Sequence, residues 1–133
     1  MRPQVFTIEG RCPTKGSTKS FVNPKTGKVV TKADNTKLGK WTRDAKHLIR
    51  ACRPLMIYKP DGVNLSVRFE FVKPKTVHRA LPTVPPDIDK TLRAVLDVLT
   101  GLCYTDDSQV VYVATAKVYG ASERVIVEVE RAA

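Results

Sequence analysis

The chain has few cysteines and no long apolar segment. Its three cysteines, Cys12, Cys52 and Cys103, are far apart and form no Cys-x-x-Cys pair, so neither a disulfide framework nor a zinc site is indicated, and we expect reduced thiols. No run approaches the roughly 20 apolar residues of a membrane-spanning helix, and the N-terminus lacks the apolar stretch of a signal peptide. We therefore expect a cytoplasmic protein with no membrane partner.

Histidine is also scarce, which narrows the chemistry open to the chain. His47 falls in a basic helical pattern and His78 in a proline-rich segment, and neither has a third partner nearby, so neither is expected to be a metal ligand or a general base. The stretch Gly10-(x)4-Lys15-Gly16-Ser17-Thr18 is similar to a phosphate-binding P-loop, but its order is wrong, because that motif needs Gly-Lys-Ser/Thr. No nucleotide cofactor is expected.

Acidic residues are outnumbered, with 13 Asp and Glu against 23 Lys and Arg, a net charge of +10. A surplus of this size favours a polyanionic partner such as nucleic acid. The surplus lies in residues 1–86, which hold 18 basic and 5 acidic residues, whereas residues 87–133 hold 5 basic and 8 acidic ones. Acids on a nucleic-acid binder repel the ligand unless a cation lies between them, so the acidic part of the chain is the candidate functional region.

Hydrophobic periodicity indicates a single domain over residues 1–133, with an α/β (α+β) fold. Two basic loops interrupt it: residues 10–32, a loop or a loose hairpin, and residues 73–86, which contain four prolines. The expected elements are strands at 5–8, 63–71, 109–119 and 124–130 and helices at about 35–52 and 90–100. We predict a small mixed sheet of about four strands with two helices packed on it.

The second helix begins beside two aspartates. Pro86 favours an extended chain before Asp87, and residues two apart in an extended segment project to the same side, so Asp87 and Asp89 can share one ion. Asp89, Arg93 and Asp97 follow at intervals of four along the edge of the helix. Taken alone, such a ladder is more typical of surface ion pairs, each worth a few tenths of a kcal/mol, so Asp97 is a weaker candidate for the site.

A further acidic pair, Asp106 and Asp107, stands just before the next strand. Parity with Gln109 and Val111 predicts that Asp107 faces the common site, whereas Asp106 points away and is typical of a turn. Carboxylates brought together repel one another unless a cation compensates. All-oxygen ligands suit Mg²⁺, with Mn²⁺ able to substitute, so Asp87, Asp89 and Asp107 are the predicted metal ligands.

These residues resemble the RusA family of Holliday-junction resolvases. The resemblance lies in Pro86-Asp87-Ile88-Asp89-(x)3-Arg93-Ala94-(x)2-Asp97-(x)2-Thr100-Gly101, in Asp106-Asp107-Ser108-Gln109-Val110-Val111 and in Lys117, with looser matches at Pro13-Thr14-Lys15-Gly16 and Trp41. It implies a homodimeric, magnesium-dependent endonuclease, typical of phages and prophages, that resolves four-way DNA junctions by paired symmetric nicks. It also implies that Asp87, Asp89 and Asp107 bind the metal and that Arg93 is the catalytic basic residue.

Two positions depart from the family pattern, which has asparagine where this chain has Lys90 and lysine where it has Arg93. Arginine stays protonated, so Arg93 cannot act as a base, but it can clamp the scissile phosphate or stabilise the charge that develops on it. Lys90 adds a charge that can pair with the carboxylates or bind DNA.

The remaining candidates are basic side chains expected to contact the DNA backbone. They are Lys15, Lys73, Lys75, Arg79, Lys90 and Lys117. Two alternatives stay open: a nuclease for flaps or forks, and a non-catalytic nucleic-acid-binding protein whose acids form only surface ion pairs.

Overall fold

The computed structural model describes residues 1–14, 18–33 and 37–133. Its elements follow in the order β1 (Gln4–Glu9), β2 (Thr18–Val22), β3 (Val29–Ala33), α1 (Leu38–Ala51), β4 (Val63–Phe71), α2 (Ile88–Leu99), a 3-10 turn (Asp107–Gln109), β5 (Val110–Tyr119) and β6 (Arg124–Arg131). The predicted elements are all present, and their ends shift by up to three residues.

Four strands form one mixed sheet in the order β1-β6-β4-β5. The β4–β5 pair is parallel, and the other two pairs are antiparallel. The predicted α+β architecture is therefore confirmed. In the basic segment 10–32, the hairpin alternative is correct, since β2 and β3 pair through a turn in which the Gly27 amide donates to the Asn23 carbonyl at 2.8 Å. Gly27 has a φ of +70°, which a residue without a Cβ adopts readily.

One face of the sheet and one face of each helix form the core. The alternation in β4 places five apolar side chains inward, and all are buried: Val63, Leu65, Val67, Phe69 and Phe71. The inward valines of β6 are buried against them. Helix α1 buries Trp41, Ala45 and Ile49, and α2 buries apolar side chains at the helical spacing that the sequence predicted, including Val95 and Leu99.

Glu70 departs from the alternation expected of a half-buried strand. It faces away from the core, yet it is only 7% exposed, because Arg124 on β6 donates Nε to its Oε2 at 3.0 Å and Nη2 to its Oε1 at 3.2 Å. The hydrogen bonds and charge of Arg124, with the charge of Arg68, hold the pKa of Glu70 below its usual range against the opposing effect of burial. A bidentate pair of this kind is among the stronger polar contacts in proteins.

The three thiols are free, as the cysteine spacing indicated. Cys12 and Cys103 are buried, and burial raises the pKa of the Cys103 thiol to about 12, so this sulfur stays protonated and unreactive at neutral pH. Among the described residues, neither helix combines the length and the apolar character needed to cross a membrane.

Candidate active site

The start of α2 carries the first two candidate carboxylates. Asp87 is the N-cap, with an extended backbone and no side-chain capping bond, and the helix begins at Ile88. The extended segment predicted for Asp87 to Asp89 is therefore wrong, because the helix already includes Ile88 and Asp89. Both side chains are exposed, and Lys90 Nζ lies 3.7 Å from Asp87 Oδ2.

Lys117 on β5 fixes the segment that leads into Asp87. Its Nζ donates to the carbonyl oxygen of Val84 at 2.7 Å and to that of Pro86 at 2.8 Å. Two of the three ammonium donors are thus bound to backbone. The arrangement ties the C-terminal half of β5 to the N-terminal end of α2, and a contact between Lys117 and DNA stays a prediction.

Further along α2, a second acidic pair faces a shared cavity. The cavity has a volume of about 300 Å³ and is lined by Arg93, Leu96, Asp97 and Asp107. Asp107 enters it from the 3-10 turn before β5, while the other three come from α2. The structure therefore places Asp107 with Arg93 and with Asp97, which the sequence had left as a weaker candidate.

The route by which Asp107 reaches the cavity differs from the prediction. The strand parity assumed for Asp107, Gln109 and Val111 is wrong, because residues 107–109 form a 3-10 turn and the β4–β5 register is irregular at the start of β5. A turn of this kind does not alternate its side chains as a strand does.

Gln109 holds that turn in place, and sequence reasoning missed it. Its Oε1 accepts from the amides of Thr105 at 2.8 Å and Asp106 at 3.0 Å, and its Nε2 donates to the carbonyls of Ile57 and Asp61, each at 3.1 Å. The side chain is 6% exposed, so four hydrogen bonds satisfy a buried amide. The available signal for this role was a glutamine directly before a largely apolar strand.

Asp106 belongs to the same turn and binds the protein itself. Its Oδ1 accepts from the Ser108 amide at 3.3 Å, and Lys59 Nζ lies 3.3 Å from its Oδ2. The Ser108 amide, the Lys59 ammonium, and the Ser108 and Asp107 side chains hold the pKa of Asp106 at about 2, despite some desolvation. Asp106 is thus ionised and already partnered at neutral pH.

The next basic candidates lie in the segment that precedes α2. Arg79 Nε donates to the Tyr119 hydroxyl at 2.7 Å, and Lys73 Nζ lies 5.3 Å from the centre of the Tyr119 ring. Lys75 is exposed. Lys15, also predicted to contact DNA, falls outside the described residues.

The carboxylates of α2 and of the 3-10 turn fit a hard divalent cation only in part. In the part of the chain that the structure describes, no three Asp, Glu, His or Cys side chains are gathered closely enough to hold one metal ion. Eight residues separate Asp89 from Asp97, a helical rise of about 12 Å. Asp97 and Asp107 nevertheless supply carboxylate oxygens to one cavity, and Mg²⁺ typically uses one or two carboxylates together with water and substrate phosphate.

Comparison with known proteins identifies a family for the chain. The family model described as "Endodeoxyribonuclease RusA" matches residues 13–130, nearly the whole chain. The chain is also 46% identical over 44 residues to the uncharacterized protein YqaN of Bacillus subtilis (strain 168), a match that covers 33% of this chain and 31% of that protein. The matched family model spans α2, the cavity and the basic segment together, and the chain therefore belongs to the RusA family of endodeoxyribonucleases, hydrolases that act on DNA.

Proposed function

We propose that this chain is a magnesium-dependent endonuclease that resolves four-way DNA junctions by paired, symmetric nicks in recombination and repair. One observation carries the proposal: Asp107 and Asp97 line a single cavity together with Arg93 in a chain of net charge +10. A carboxylate pair is unfavourable on a surface that attracts phosphates unless a cation lies between them. The charges that line this cavity therefore suit a cation and a phosphate bound together.

We assign the metal to Asp87, Asp89 and Asp107, of which Asp107 lines the cavity that it shares with Arg93 and Asp97. A bound Mg²⁺, or Mn²⁺ in its place, would supply positive charge to the scissile phosphate and lower the pKa of a nearby water. Because Asp89 lies one helical turn before Arg93, a rise of about 6 Å, the assignment requires the side chains of Asp89 and Asp107 to turn toward each other.

Arg93 is the group of this chain assigned to the scissile phosphate. Its guanidinium lines the cavity beside Asp97 and Asp107, keeps its charge at any physiological pH, and can donate two parallel hydrogen bonds to one phosphate. Donors that face a developing negative charge typically contribute 10²–10³-fold to the rate. Arg93 therefore binds and orients the phosphate, and it takes no proton from the attacking water.

The substrate proposal rests on symmetry and charge. A homodimer offers two equivalent sites, and an open four-way junction presents two equivalent strands, so a two-fold dimer matches the two-fold substrate. The basic segments 10–32 and 73–86, with Lys75, Lys90 and Lys15, would contact the arms. The origin proposed for the chain is a phage or prophage, and the compartment in which it acts is the host cytoplasm.

The test compares nicking of a four-way junction, a fork, a flap and a linear duplex, with and without Mg²⁺, at stated salt. We expect Asp87→Asn, Asp89→Asn and Asp107→Asn each to slow junction nicking at least a hundredfold while junction binding persists. Asp44→Asn is the matched control, since Asp44 is an exposed aspartate of α1 that pairs with Lys40 at 3.0 Å. Wild-type nicking rates in all three variants would refute the site, and preferred cutting of forks or flaps would replace the junction assignment.

A further inference from the structure

Two aromatic rings at the ends of β4 and β5 hold basic side chains against them. Phe71 and Tyr119 are register partners, the last residues of their strands. Arg79 donates Nε to the Tyr119 hydroxyl at 2.7 Å, Lys73 Nζ lies 5.3 Å from the Tyr119 ring centre, and the Arg11 guanidinium carbon lies 5.0 Å from that of Phe71. Both ring distances fall within the range of cation–π attraction. One tyrosine therefore orients two cations, through its edge and through its face.

No carboxylate in the described part of the chain neutralises the charge held on Tyr119. Residues 72–86 contain no acidic residue, and among the described residues neither Lys73 nor Arg79 forms an ion pair with a carboxylate, whereas Arg11 lies 3.3 Å from Glu123. With Nε bound to Tyr119, Arg79 keeps the four N–H donors of its two Nη groups. Those donors are the ones that bind a phosphate in pairs.

The space beside Arg79 suits a phosphate group. A cavity of about 170 Å³ is lined by Arg11, Arg79, Tyr119, Pro82 and Pro86, among others. It has room for roughly six water molecules at their bulk volume of about 30 Å³ each, which is enough for a phosphate but tight for a whole nucleotide. Pro86 directly precedes Asp87, so the cavity adjoins the start of the proposed active site.

We propose that Tyr119 is a positioning residue that presets Arg79 and Lys73 to bind a backbone phosphate of the DNA strand beside the scissile one. The inference rests on the proposed function and adds to it a second phosphate site at the C-terminal ends of the parallel strands β4 and β5. Four prolines in residues 73–86 restrict the segment that carries both cations. Less conformational freedom is therefore lost when the phosphate binds.

The test measures the dissociation constant of a fluorescent four-way junction in EDTA, over a series of salt concentrations. Tyr119→Phe removes the hydroxyl but no charge, so we expect a roughly fivefold to tenfold weaker complex with an unchanged slope against log salt. Arg79→Gln removes a phosphate contact, so its slope should fall by about 0.9. A role of Tyr119 in folding alone would move neither binding quantity once the melting temperatures of the variants match.

Two controls make the result specific. Tyr112→Phe is the same change at an exposed tyrosine, and Arg131→Gln removes an arginine at the opposite end of the sheet, 3.4 Å from Asp61. Tyr119→Phe that binds as tightly as Tyr112→Phe, or Arg79→Gln with the slope of Arg131→Gln, overturns the inference. Because binding in EDTA needs no cleavage, these outcomes are independent of the nicking panel, whose failure alone would remove the proposed function.

Discussion

Replacing Gln109 by alanine should loosen the turn that presents Asp107. The substitution removes the four hydrogen bonds of a side chain that is 6% exposed. At a net value of roughly 0.5–1.5 kcal/mol each, and with water replacing part of the lost bonding, we expect a loss of about 2–4 kcal/mol. For a domain of this size, about 1 kcal/mol lowers the melting temperature by roughly 3–5 °C, so the midpoint should fall by about 10 °C.

The assay is thermal unfolding followed by circular dichroism, paired with the rate of junction nicking at a temperature where the variant remains folded. Gln4→Ala is the matched control, since Gln4 bonds both to the amide of Leu55 at 2.7 Å and to its carbonyl at 3.0 Å, and both bonds are exposed to solvent. We expect a fall of only a few degrees for Gln4→Ala and unchanged nicking. If Gln109→Ala has the same melting temperature as Gln4→Ala and nicks at the wild-type rate, the role given to Gln109 in holding the turn is refuted.

Three further outcomes are expected. Because Arg124 keeps the pKa of Glu70 low, the folded state gains stability above the ordinary carboxyl pKa of about 4.3 and loses it as the pH falls below that value. The urea midpoint of Glu70→Gln should therefore change less between pH 7 and pH 3 than that of the wild type, and equal changes would contradict this. Lys117→Gln removes the hydrogen bonds that hold the segment before Asp87, and it should slow nicking tenfold to a hundredfold with little change in urea midpoint. A wild-type nicking rate would show that these hydrogen bonds are dispensable. Asp97→Asn should weaken the apparent affinity for Mg²⁺ roughly 10–100-fold, and its nicking rate should recover at high Mg²⁺, whereas the rate of Asp107→Asn should not. Equal behaviour of the two variants would show that Asp97 binds the metal as directly as Asp107 does.

The strands and the core could be predicted from the sequence because their signals are local. Alternation from Val63 to Phe71 fixed which side of β4 faces the helices, and the buried valines of β6 followed the same rule. The order of elements was sufficient for the α+β class. Burial of apolar area is determined by periodicity over a few residues, which a sequence displays directly.

The details of the site could not be predicted because they depend on long-range contacts and on where elements begin. Helix α2 starts two residues earlier than expected and so includes Asp89, and a 3-10 turn in place of a strand brings Asp107 to Asp97. Tyr119 and Arg79 are 40 residues apart, and no pattern in the sequence links them.

The central claim is that carboxylates of the α2 edge and of the 3-10 turn bind one divalent cation together with the DNA. Its most direct test compares the binding of Mn²⁺ to the wild type and to Asp107→Asn, with a non-cleavable four-way junction present. Binding is followed by the electron paramagnetic resonance signal of the free ion. We expect the variant to bind Mn²⁺ more weakly by well over the roughly tenfold that loss of an outer partner costs. Equal Mn²⁺ affinity in the two proteins would contradict the account.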